Sequence, residues 1–97
     1  MRIIAKKTLV AFWAKHPDAR VALEAWYAEA KAAEWSNPTD IKTRYRHASI
    51  LRSSRVVFNI GGNKFWLVVY INYAVKIVFV RFVGTHKEYD QIDAEEI

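Results

Sequence analysis

Arg81 to Asp90 reads RFVGTHKEYD, which sets a guanidinium, an imidazole, an ammonium and a phenol close together near the end of an apolar run. Arginine offers a bidentate fork to phosphate oxygens. Histidine can take or give a proton, because its free pKa is about 6.5. Tyrosine acts as a base only where neighbouring cations lower its pKa. Together these groups fit metal-free cleavage of a ribonucleotide chain. One group takes the proton of a 2′-hydroxyl and another protonates the leaving 5′-oxygen, while cations stabilise the charge on the five-coordinate phosphorus. Arg81, His86 and Tyr89 are the candidate catalytic residues. Arg55, Asn59, Lys64 and Lys87 are candidate contacts to the strand, and Trp66 and Tyr70 could stack on unpaired bases.

Each residue also has a plainer role open to it. His86 could hydrogen-bond within a loop, Tyr89 could pack under a sheet, and Arg81 could bridge to Asp90. Trp66 and Tyr70 could belong to the core or to a partner interface. His16 and His47 stand apart, and the three histidines lack metal-ligand spacing, which argues against a zinc site. Gly61-Gly62 reads as a hairpin turn, since no strand-to-helix phosphate loop surrounds it. No cofactor is expected.

The distribution of charge supports a polyanionic ligand. Net charge is +5, yet residues 41–87 contain no Asp or Glu and nine Lys or Arg. At the overall frequency about five acids would fall there, so the segregation reads as an electrostatic footprint for nucleic acid, with a merely solvated basic surface as the alternative. Cysteine is absent, so there is neither a disulfide framework nor a thiolate metal site; this fits a cytoplasmic protein. Met1-Arg2-Ile3-Ile4 is interrupted by Lys6-Lys7 too soon for a signal peptide, and no apolar run approaches the ~18 residues of a membrane span. A chain of 97 residues, 53% of them hydrophobic, suits a single domain spanning 1–97 with one core.

The elements that must position these groups follow from periodicity. Residues 2–5 form a short strand. Leu9, Phe12, Trp13 and His16 make one stripe of a helix over 7–15, which Pro17 ends. A second helix over 20–35 presents Val21, Ala25, Ala28, Ala32 and Trp35. Asn37-Pro38 caps a short helix over 39–45, and a polar loop with an extended piece at 49–51 follows. Period-two alternation then gives three strands, over 55–60, 64–71 and 76–83. Val56, Phe58, Ile60, Phe65, Leu67, Val69 and Ile71 share one face. On the third strand Val78, Val80 and Phe82 oppose Ile77, Phe79, Arg81 and Val83. The expected fold is α+β, with an N-terminal strand and two helices packed on a C-terminal antiparallel meander whose other face stays open. The acidic tail, 90–97, reads as a frayed end or a last half-turn.

Asp40-Ile41-Lys42, Arg55-Val56-Val57-Phe58-Asn59-Ile60 with Gly62-Asn63, and Arg81-Phe82-Val83-Gly84-Thr85-His86 with Glu88-Tyr89-Asp90 resemble the HigB family of bacterial type II toxins, over nearly the whole chain. The resemblance implies a RelE-like fold and an endoribonuclease that cuts messenger RNA on the ribosome without a metal. It also implies a cognate HigA-type helix-turn-helix antitoxin, and no membrane. On this resemblance Arg81 stabilises phosphate, His86 transfers a proton, and Tyr89 orients the substrate or shares proton transfer. Arg55 and Asn59 match the family's strand before the turn. Trp66 departs from the pattern, where arginine is common, and so exchanges a phosphate contact for a stacking surface. The rival reading is a basic RNA- or ribosome-binding module that does not cut.

Overall fold

Alternating apolar residues draw the chain into a meander of β3 (Arg55–Ile60), β4 (Phe65–Asn72) and β5 (Ile77–Thr85). The computed structural model, which describes residues 1–97, pairs them antiparallel, with Phe58 opposite Leu67 and Ile71 opposite Val78. Gly61, Gly62 and Asn63 turn β3 into β4 at φ of 62°, 63° and 71°, a left-handed path that glycine and asparagine tolerate. β1 (Arg2–Ile4) lies parallel to β5, and β2 (Ser49–Ile50) closes the opposite edge against β3. The order is β1-β5-β4-β3-β2. A parallel neighbour needs a long crossover. Here the helices supply it: α1 (Lys6–Lys15), a single 3₁₀ turn at Pro17–Ala19, α2 (Arg20–Ala32) and α3 (Pro38–Arg44) all precede the meander. None is long and apolar enough to cross a membrane.

The helices cover the inner face. Leu9 and Phe12 of α1, Leu23, Trp26 and Ala30 of α2, and Ile41 of α3 bury against Val56, Phe58, Leu67, Val69 and Val78. The α1 stripe is as expected, with Trp13 and His16 half-buried at its margin. The α2 stripe is not. Val21 is 80% exposed, and Ala25, Ala28 and Ala32 face solvent. Turning a leucine and a tryptophan inward removes far more apolar area from water than one valine and three alanines would. The helix also stops at Ala32, and Trp35 reaches the core from the extended segment beyond. α3 begins as its sequence suggests, with the Asn37 side chain accepting from the Asp40 N–H at 3.0 Å.

Two further differences concern the outer face. Val68 pairs with Phe82 but Val69 with Val80, so Arg81 is the extra residue of a β-bulge. Beyond the bulge the alternation inverts. Phe82 joins the outer face, apart from Val78 and Val80, and Val83 turns inward. Nor is the outer face bare. After α4 (His86–Tyr89) the chain folds back over the sheet, and Ala94 buries on Val57 and Val68 with Ile92 and Ile97 beside it. Apolar residues at 92, 94 and 97 give the acidic tail a reason to adhere.

Candidate functional site

Gly84 and Thr85 decide where the imidazole goes. α4 opens with a capping box: the Glu88 N–H donates to Thr85 Oγ1 at 3.3 Å, and the Thr85 N–H donates to Glu88 Oε1 at 2.8 Å. The Thr85 N–H bond holds the Glu88 carboxyl below its ordinary value. A Cβ on buried Gly84 would sit 2.5 Å from a ring carbon of Phe82 and 3.0 Å from that carboxylate, so a larger residue would have to push both side chains aside for the turn to close on the strand.

His86 therefore projects from the first position of α4 with its side chain 67% exposed. Its ring lies 4.8 Å from that of Trp66, and Nε2 is 3.4 Å from Asp90 Oδ2, one helical turn on. Tyr89 stacks on Trp66 at 5.9 Å and touches Phe82 at 6.4 Å. Burial first, then the charge of Asp90, raises the Tyr89 phenol above its ordinary value. A raised pKa keeps the proton on, so this phenol suits donation or orientation rather than general-base work. Imidazole, indole, phenol and carboxylate thus form one group at the end of β5.

The arginines form a second group on the same face. Arg81 is exposed and lies over Tyr70 at 5.7 Å and Phe79 at 5.5 Å, which themselves stack at 5.7 Å. Arg81 makes no ion pair with Asp90, whose carboxylate faces His86 instead. Its place in the bulge and its aromatic seat explain how a charge interrupts an apolar strand without being buried. Arg55 shares the Tyr70 ring at 5.0 Å, but its donors already serve the carbonyl oxygens of Ser53 and Ile97. Trp66 and Tyr70 are four residues apart on β4, about 13 Å along a strand. Arg81 and His86 therefore share a face without touching, and only an extended ligand spans both groups.

The remaining strand contacts divide. Lys87 is exposed beside His86. Asn59 is exposed opposite Trp66 in the β3–β4 register. Lys64 turns to Asp18 of the 3₁₀ turn at 3.5 Å, towards the helical side. Asp90 is a neighbour of His86 that the sequence reading missed, having weighed it only as an alternative bridge partner for Arg81. The i, i+4 spacing of His86 and Asp90 was the available signal, but it requires a helix there, and Thr-x-x-Glu at 85–88 is what announces one.

A family model described as HigB toxin, the RelE-like toxic component of a toxin–antitoxin system, matches residues 19–92. The chain is 30% identical over 94 residues to the mRNA interferase HigB of Escherichia coli O6:H1, covering 95% of this chain and 91% of that protein. It is 27% identical over 92 residues to the mRNA interferase toxin HigB of Escherichia coli K12 and to the mRNA interferase HigB of Shigella flexneri, covering 93% of this chain and 88% of each. The motifs at the strand ends, the α+β fold and these matches together make the chain a member of the HigB family of RelE-like toxins.

Proposed function

We propose that this toxin is an endoribonuclease that cuts messenger RNA across the outer face of its sheet, without a metal ion. The 2′-oxygen bonds to the adjacent phosphorus as its proton passes to a base. The bond from phosphorus to the 5′-oxygen breaks as that oxygen takes up a proton. The products are a 2′,3′-cyclic phosphate, or a 3′-phosphate once water has added, and a 5′-hydroxyl. His86 handles a proton, Tyr89 orients the nucleotide with Trp66, and Arg81 meets phosphate oxygens. Asn59 and Lys87 contact the strand. Arg55 mainly braces the face, and Lys64 binds RNA only if it leaves Asp18.

The observation that carries this reading is the exposed His86 imidazole, seated on Trp66 and backed by Asp90, on the face that also presents the unpaired Arg81. In this reading the toxin works in the cytoplasm on ribosome-bound messenger, and a HigA-type helix-turn-helix antitoxin restrains it. The gap between Arg81 and His86 favours one rival, a module that grips RNA without cutting it. Primer extension on RNA from arrested cells separates the two. New 5′ ends are expected, and a 2′-deoxy residue at the cut position should abolish cleavage in vitro. Growth arrest without new ends would leave the binding module standing.

A further inference from the structure

β2 is only two residues long, so it covers β3 at Val56 and Val57 and leaves the edge from Phe58 onward without a strand neighbour. A cleft of about 450 Å³ opens there, between the loop that joins α3 to β2 and the β3–β4 turn. Arg44, Arg46 and His47 line one wall; Asn59 and Asn63 line the other, and no acidic residue lines it. Arg46 and His47 are exposed, and neither forms an ion pair.

The loop bearing these two residues is held in place. The Lys42 ammonium donates to the carbonyl oxygens of Arg46 at 2.7 Å and Ala48 at 2.8 Å, and Ala48 is buried. Arg44 is held by Glu29 at 2.8 Å through one nitrogen, which leaves other donors of its guanidinium free. A lysine that organises a loop carrying the unpaired Arg46 beside His47 indicates a preformed anion site rather than a solvated surface.

The cleft is also in line with the chemistry. Asn59 on β3 pairs with Trp66 on β4, and Trp66 pairs with Gly84 on β5, two residues before His86. Neighbouring strands are about 5 Å apart. A row thus runs across the sheet from Arg46 and His47 through Asn59 and Trp66 to His86. We propose that this cleft is a subsite for one nucleotide of single-stranded RNA flanking the cut, with its phosphate held by Arg44, Arg46 and His47. The Asn59 and Asn63 amides, each able to donate and accept, read the edge of its base. The inference rests on the outer face being an RNA surface and adds a second nucleotide position to it.

The test uses a 2′-O-methyl oligoribonucleotide, which binds but cannot be cut. Replacing Arg46 and His47 together by alanine should weaken its binding on the order of tenfold or more, as for loss of charge-assisted hydrogen bonds. The salt dependence of binding should become shallower by about 0.7 per lost phosphate contact. On wild-type protein, the same oligonucleotide should shift the side-chain amide resonances of Asn59 and Asn63, a readout that needs no variant. Unchanged affinity, or amides that do not move, overturns the subsite. So does unchanged RNA affinity with weakened antitoxin binding, which would give the cleft to an acidic protein partner. Because this assay requires no cleavage, its failure is separable from failure of the cutting mechanism, which is read from His86→Ala on a cleavable RNA.

Discussion

At the scale of single residues, the roles divide by what each side chain already holds. Asp90 sits 3.4 Å from Nε2 of His86, so in the proposed reaction a substrate proton would pass either through the other ring nitrogen or after this pair opens. The raised phenol of Tyr89 argues against a base role, and its ring is stacked on Trp66. His86→Ala should therefore lower the single-turnover cleavage rate on the order of 10²–10⁴-fold, the usual worth of a proton-transfer group. Tyr89→Phe keeps the stack and should lose far less. A Tyr89→Phe variant as inactive as His86→Ala would transfer the proton role to the phenol.

At the scale of elements, side-chain bonds rather than helix length fix the active edges. α4 has only four residues and exists because Thr85 and Glu88 satisfy each other's N–H groups beside a glycine. Elsewhere, Glu29 of α2 holds the C-terminal end of α3, accepting from the Tyr45 hydroxyl and from Arg44. The Tyr45 bond, then Arg44, lowers the Glu29 carboxyl below its ordinary 4.5. A carboxyl lowered in the folded state adds stability above its unfolded pKa and loses it as pH falls through the folded one. Glu29→Gln should therefore lower the melting temperature at pH 7, with the difference from wild type shrinking as pH falls below the ordinary 4.5. Thermal unfolding across pH 3–7 checks this, and a gap that persists unchanged at pH 3 would show that the carboxylate charge is immaterial.

Across the whole molecule, the acid-free stretch from 41 to 87 supplies the outer face of the meander and the α3–β2 loop beside it, although Lys64 and Lys76 turn to the helical side. The acids after it fold back over part of the same face, where Glu95 lies 3.9 Å from Arg52. The net field still favours a polyanion. Binding of uncleavable RNA should weaken as salt rises, and about three to five phosphate contacts would give a log–log slope of about −2 to −3.5. A slope near zero in a filter-binding titration would mean that the cations do not meet the phosphates.

Read alone, the chain already specified its strands, the inner face of the meander, the α3 cap and the residue types that serve phosphoryl transfer. Period-two alternation and the asparagine before Pro38 are local signals, and local sterics and hydrogen bonding are enough to read them. The face of α2 was illegible because a helix rich in alanine carries two plausible stripes, and only packing weighs Trp26 against Val21. The bulge at Arg81, the turn of Phe82 to the outer face, and the fold-back of Ala94 depend on strand register and on what the sheet leaves uncovered. For the same reason His47, incidental in the sequence, shares a cleft with Asn59 and Asn63 that exists only because β2 ends after two residues. Side-chain chemistry was written in the order of residues; which groups share a surface was decided by long-range pairing.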